Sequence, residues 1–219
     1  ILNLTNNEFE KIIKQKNQQK PWETLIISKN LSWEQFTKVN YFLYDLTGAK
    51  PVLSVSRDYP FNENYTHVLG YVSEASEKDI LNNEIIKSIH VPGLKVGKTG
   101  LEKTFEDELI GTNGVQRYEV NAYGKRISQL DHTDGINGKT IKLTIDTEIQ
   151  KFCNELLKGV AGSISVMDIY TGEIVAMQSS PSFDPNLFLF GINQDDWQLI
   201  RNNPLKPLVN KTLSGLYSP

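Results

Sequence analysis

The sequence predicts an α+β fold divided near residue 138. Three observations carry that prediction. Capped, apolar-striped helices recur along the chain, short apolar or alternating runs between them read as strands, and past residue 138 a compact strand-helix-hairpin pattern replaces a loop-rich one.

Taken in order, residues 5–20 form a polar helix. Leu4, Phe9, Ile12 and Ile13 give it a weak apolar stripe, and it stops before Pro21. Residues 23–28 read as a strand on the run Leu25, Ile26, Ile27. Ser32 caps a second helix carrying Trp33, Phe36, Val39, Asn40 and Leu43, with Gly48 as its stop. Residues 51–56 read as a second strand, with Val52 and Val55 in alternation, and residues 57–100 read as irregular. The stretch 99–111 predicts a short helix with Leu101, Phe105 and Leu109 on one face. Thr99 and Glu102 stand at capping-box spacing, and Gly111 provides a left-handed stop. Residues 139–145 alternate and predict a strand. Asp146 caps a helix to about Lys158 whose core face is Ile149, Phe152, Cys153, Leu156 and Leu157. Residues 163–169 and 173–178 predict a hairpin around Tyr170-Thr171-Gly172. The Pro- and Asn-rich tail after Pro181 is expected at the surface.

The chain has 219 residues, of which 39% are hydrophobic and 22% charged, which suits a globular chain able to bury a core. A net charge of −3, with scattered Lys and Arg, offers no basic field for a nucleic-acid backbone. The single Cys153 forbids an intrachain disulfide and gives no indication of redox compartment. No apolar run approaches the roughly 20 residues of a membrane helix. The chain opens at Ile1 and closes in an apolar, turn-rich stretch, so both ends read as interior to a longer protein.

Several tempting motifs have bland readings. Residues 92–99 precede a helix as a phosphate-binding loop does, but Pro92 stands where that loop needs a glycine and an N–H. His67, His90 and His132 lie at no metal-ligand spacing, so no metal and no cofactor are expected. The acidic run Glu102, Glu106, Asp107, Glu108 reads as a solvated helix face, and Cys153 as a small core hydrophobe. Neither a Gly-x-Ser-x-Gly elbow nor a Ser-x-x-Lys pair occurs, so the chain itself shows no catalytic residue.

A series of segments nevertheless carries a resemblance. Arg57-Asp58-Tyr59-Pro60 is followed by His67-Val68-Leu69-Gly70-Tyr71, then by Gly97-Lys98-Thr99-Gly100-Leu101-Glu102. Gly111 and Gly114, Val120-Asn121 and Gly124 come next, then Leu143-Thr144-Ile145-Asp146 with Gln150. Asp168 with Gly172, Asp184-Pro185-Asn186 and Asn210 complete the order. This series resembles the class B penicillin-binding proteins over residues 57–219. Residues 181–188 and 202–210 are most similar to the elongation-type branch, the penicillin-binding protein 2 group, ahead of the division-type branch.

The resemblance implies residues 1–138 as a pedestal or dimerisation module and 139–219 as the incomplete start of a transpeptidase domain. It implies that the parent is a serine D,D-transpeptidase of peptidoglycan synthesis, the target of β-lactams. The nucleophile of its Ser-x-x-Lys would lie just past Pro219, so this piece is expected to be inactive. A single-pass anchor upstream would hold it on the periplasmic side of the bacterial inner membrane. Expected partners are stem peptides and β-lactams for the parent, and membrane-bound cell-wall elongation proteins for the pedestal, with residues 57–94 as the candidate surface. The alternative is a non-catalytic scaffold that binds those elongation partners. A β-lactam sensor is a third reading, which lacks the motif at residues 97–102. Docking of the 146–158 helix on the hairpin is expected to need enough of the sheet to be present.

Overall fold

A computed structural model describes residues 2, 4–19, 24–53, 55–89, 93–121 and 126–215. The elements run α1 (Asn6–Gln18), α2 (Trp33–Tyr41), a 3-10 turn (Asn62–Asn64), α3 (Thr66–Leu69), β1 (Val72–Glu74), α4 (Glu77–Asn82) and α5 (Glu84–Ile89). There follow β2 (Lys95–Gly97), α6 (Gly100–Thr104), α7 (Glu106–Leu109), β3 (Val115–Val120) and β4 (Arg126–Thr133). The remainder is α8 (Thr147–Leu156), β5 (Gly162–Met167), β6 (Ile174–Ser180), a second 3-10 turn (Pro185–Phe188), α9 (Gln194–Arg201) and α10 (Lys211–Ser214). Strands pair in order as antiparallel two-stranded ribbons: β1 with β2, β3 with β4, β5 with β6. The fold is α+β, as expected.

The described structure forms two compact units. One comprises Ile1–Val55 with Gly114–Asp134, the other Ser56–Asn113 with Gly135–Pro219. The sequence division at 138 therefore does not coincide with the compact units, because residues 56–113 pack with residues 135–219.

In the first unit, both predicted helices form where their caps stand. Thr5 and Ser32 each complete a capping box, with Glu8 and Gln35. α2 ends at Tyr41, well before Gly48, and Trp33 on its expected apolar stripe lies exposed. Neither predicted strand, 23–28 or 51–56, appears among the described residues. Ile26 and Ile27 stay exposed and Val55 is 98% exposed, since an apolar run without a partner ladder has nothing to pair with. A hairpin, β3–β4, lies instead in a stretch where the sequence predicts no element. It runs in register from Val115↔Thr133, with bulges at Arg117/Tyr118 and Glu119/Val120. Its side chains are mostly exposed on both faces, so no half-buried alternation betrays it.

The second unit holds the remaining corrections. Residues 57–100 are not irregular but carry α3, β1, α4, α5 and β2, elements too short for periodicity to reveal. The predicted 99–111 helix breaks at Phe105 into α6 and α7, and Thr99 makes no side-chain cap. Glu102 is drawn instead to Arg57 and Tyr59, where it gains charge-assisted partners. Gly111 does adopt the left-handed conformation (φ +66°), and a Cβ there would lie 2.3 Å from the Ile136 carbonyl oxygen.

Residues 139–145 are not a strand, although their alternation is real: Ile141, Leu143 and Ile145 are half-buried between exposed neighbours. The segment reaches β6 only at its end, through Thr144 Oγ1 to the Ile174 carbonyl and Asp146 N to that of Val175. Asp146 caps α8 as predicted, its carboxylate accepting from the Glu148 and Ile149 amides. The buried face of α8, however, is Gln150 and Cys153. Ile149, Phe152 (58%) and Leu156 (59%) are exposed, because α8 meets β6 through a polar side chain rather than through the apolar stripe. The predicted hairpin is present as β5–β6, from Gly162↔Ser180.

The stretch after Pro181 is not a surface tail. Phe183, Pro185, Phe188 and Leu189 are buried, and Leu189 joins Tyr59, Val72 and Leu69 in the apolar core. Tyr71 lies over Phe188 (4.2 Å between centroids), and Phe183 and Trp197 meet Phe188 edge-on. Pro185 folds inward in the second 3-10 turn, which Asp184 caps, while Asn193, Asn202 and Pro204 stay exposed.

Candidate functional site

The motif residues converge within the second unit around Tyr59. Its backbone N–H donates to Asn186 Oδ1 (3.1 Å) and its carbonyl accepts from Asn186 Nδ2 (3.0 Å). Asn186 Nδ2 also donates to Asp184 Oδ1 and Asn62 Oδ1, so Asn186 is held from both sides. The Tyr59 hydroxyl donates to Glu102 Oε1 and accepts from the Val72 N–H, both at 3.1 Å. Arg57 Nε meets the Glu102 carboxylate at 3.1 and 3.2 Å, and Arg57 Nη2 donates to the Leu109 carbonyl. Burial, then the Glu102 charge and its hydrogen bond, push the Tyr59 phenol far above its ordinary range. The phenol therefore stays neutral and acts as a fixed bridge.

Three glycines allow this packing. Gly70 (φ +80°) and Gly100 (φ +61°) pass back to back: a Cβ on Gly70 would lie 1.8 Å from the Thr99 carbonyl oxygen. A Cβ on Gly97 would meet the Glu102 backbone at 2.2 Å. The Gly97 N–H donates to Glu106, whose carboxyl is raised chiefly by burial. Leu101 is half-buried and Pro60 exposed.

A second polar knot ties α8 to β6. Gln150 is fully buried (0%). Its Nε2 donates to the carbonyls of Asn64 and Met177 and to Gln178 Oε1, and its Oε1 accepts from the Met177 N–H. Gln178 Nε2 continues to Asn154 Oδ1. Asp168 has a local role: its carboxylate accepts from the Tyr170 and Thr171 amides, which lowers its pKa and shapes the turn that Gly172 (φ +75°) completes.

A third cluster holds the start of α10. Asn210 Oδ1 accepts from the Thr212 N–H, while Asn210 Nδ2 donates to the His67 carbonyl. The Lys211 N–H donates to Ser179 Oγ, and Thr212 Oγ1 to the Gln178 carbonyl. His67 sits edge-on to Phe183, and burial brings its imidazole down to about 4.

The expected site residues thus separate by place. Arg57, Tyr59, Glu102, Asp184, Pro185 and Asn186 form one network, Gln150 a second, and His67 with Asn210 a third. Asp168 and Gly172 stand apart at the hairpin turn. Asn121 follows β3 in the other unit, and Gly124 lies outside the described residues. The expected site residues did not include Thr66, Ser179 and Lys211. Thr66 Oγ1 donates to the Phe183 carbonyl, and Lys211 is buried with its Nζ on the Lys206 carbonyl. The one visible signal was the polar triplet Gln178-Ser179-Ser180 closing an apolar strand. Among the described residues, no three metal-ligating side chains gather. All these groups grip backbone or one another, which is a scaffold's chemistry: they orient segments.

Comparison with known proteins places this geometry. Residues 1–143 match the family model described as the penicillin-binding protein dimerisation domain. The peptidoglycan D,D-transpeptidase MrdA of Haemophilus influenzae is 34% identical over 223 residues, covering 100% of this chain and 34% of that protein. MrdA of Escherichia coli K12 is 33% identical over 221 residues, covering 100% and 35%. The chain thus spans about a third of the length of the curated relatives it matches. Among solved structures, a complex of penicillin-binding protein 2 with MreC from Helicobacter pylori aligns with TM-score 0.73 and 28% identity, covering 95% of this chain and 42% of that one. Penicillin-binding protein 2 of Pseudomonas aeruginosa bound to WCK 5153 aligns with TM-score 0.62 and 35% identity, covering 78% and 34%.

Proposed function

From the premise that the chain belongs to the penicillin-binding protein dimerisation-domain family, we propose that it is the pedestal and the first part of the catalytic domain of an elongation-type peptidoglycan D,D-transpeptidase. The observation that carries this reading is the reciprocal pair of hydrogen bonds between Tyr59 and Asn186, which lashes a pedestal motif to one 127 residues later. The pedestal boundary falls near residue 138, and residues 139–219 begin the transpeptidase domain. The motif residues position segments and carry no chemistry.

The whole protein's reaction is the one its relatives' name gives. A serine beyond Pro219 attacks the penultimate D-Ala carbonyl of a stem peptide and expels D-Ala. The acyl-enzyme is then resolved by a neighbouring peptide's amine, and a β-lactam acylates the same serine irreversibly. The protein is placed on the periplasmic side of the inner membrane by an upstream anchor. Among the described residues, no helix is long and apolar enough to cross a membrane. Labelling with a fluorescent penicillin tests the reading. Label on the full-length protein and none on residues 1–219 is expected. Label on neither overturns the transpeptidase assignment, and label on the shorter chain overturns its inactivity.

A second role is compatible with the first. The Helicobacter pylori relative is seen in complex with MreC, which favours the pedestal as a docking module for cell-wall elongation proteins. Capture of such proteins from membrane extract by the immobilised 219-residue chain is expected, and capture of none counts against it.

A further inference from the structure

We infer that Asn210 is a positioning residue: through it, helix α3 sets the placement of α10. This inference rests on the transpeptidase reading above, in which the nucleophile follows α10 in sequence. Asn210 does two separable things with its two amide atoms. Oδ1 caps α10 at the Thr212 N–H (3.1 Å), an internal task. Nδ2 donates to the His67 carbonyl (3.1 Å), an external one, spanning 143 residues of sequence.

The rest of the α10 start is hydrogen-bonded chiefly to β6. Ser179 Oγ accepts from the Lys211 N–H and donates to the Val209 carbonyl, and the Gln178 carbonyl accepts from Thr212. The Asn210–His67 bond adds a hold from the α3 side. α3 itself has little freedom to shift. Thr66 Oγ1 holds the Phe183 carbonyl at 2.5 Å, and Gly70, where α3 ends, abuts Thr99 and Gly100 with no room for a methyl. From there α6 carries Glu102 to Tyr59 and Arg57. Asn210 is thus the last link in a path of hydrogen bonds and close backbone packing from the Arg57-Tyr59-Glu102 network to α10. A shift at that network is transmitted to the placement of α10.

The test uses the full-length protein and its acylation by fluorescent penicillin, followed in time. Asn210→Asp keeps an oxygen for the Thr212 cap and loses the donor to His67. Asn210→Ser keeps a short capping oxygen, adds no charge and cannot reach His67. Both variants are expected to label to the same final fraction as the parent, but with a saturating rate constant about ten- to a hundredfold lower, the effect of roughly ångström misplacement of a reacting group. A parental rate constant in both variants overturns the inference. So does a reduced labelled fraction at an unchanged rate, which is the signature of a merely structural loss. Failure of the unaltered protein to label overturns the transpeptidase reading itself, and the inference with it.

Discussion

The hydroxyl of Tyr59 bridges Glu102 and the Val72 amide in a buried setting, so its removal strands the Val72 amide and leaves Glu102 with Arg57 alone. Tyr59→Phe is expected to destabilise the chain by about 1–3 kcal/mol in urea denaturation; a change below about 0.5 kcal/mol contradicts the bridge. His67 carries a pH consequence. Burial lowers its folded-state pKa from 6.5 to about 4, and the Lys211 charge adds to the effect. Between those values the unfolded chain binds the proton and the folded chain does not. Stability therefore falls as pH drops from about 6.5 towards 4. His67→Gln is expected to flatten that part of a stability-against-pH profile, and an unchanged slope contradicts the assignment. Asp79 acts in the same direction at lower pH. Burial alone raises its carboxyl, but hydrogen bonds from Lys98 and Ser76 outweigh that and bring it to about 2, so its contribution is lost only as pH falls below about 4 towards 2.

At the scale of elements, legibility followed capping chemistry. The starts of α1, α2 and α8 were readable because Thr5, Ser32 and Asp146 each satisfy orphan amides locally. The β5–β6 hairpin was readable because Asp168 and Gly172 make its turn in place. What was not readable depended on distant partners. Thr99 and Glu102 have the spacing of a capping box, yet Arg57 and Tyr59 claim Glu102, and no local rule foresees partners more than forty residues away. The apolar stripe of α8 likewise misleads, since Gln150 faces β6. That inversion is testable in this 219-residue chain. Phe152→Ala is expected to change stability by no more than about 0.5 kcal/mol, as for an exposed residue. Gln150→Ala is expected to cost about 1–3 kcal/mol by stranding the Met177 amide and neighbouring carbonyls. Equal costs, measured by denaturation, contradict the orientation. As for the site, the motif residues were legible as a set through family resemblance, but their grouping into three knots was not, because it is set by tertiary contacts.

At the scale of the whole molecule, the sequence boundary near 138 and the packing boundary differ for a physical reason. Residues 56–113 contribute short elements that cannot bury their apolar sides on one another, and they find cover in Phe183, Phe188 and Leu189. Tyr59 and Asn186 join these two stretches of sequence into one body. Native-state hydrogen exchange on Asn186→Ala tests it most directly, because the Tyr59 amide hydrogen bonds to the deleted group. Protected Tyr59 and Val72 amides are predicted in the parent chain, with roughly five- to hundredfold faster exchange of both in the variant, as expected for losing about 1–3 kcal/mol. Unchanged exchange at Tyr59 and Val72 in a variant that remains folded would contradict it.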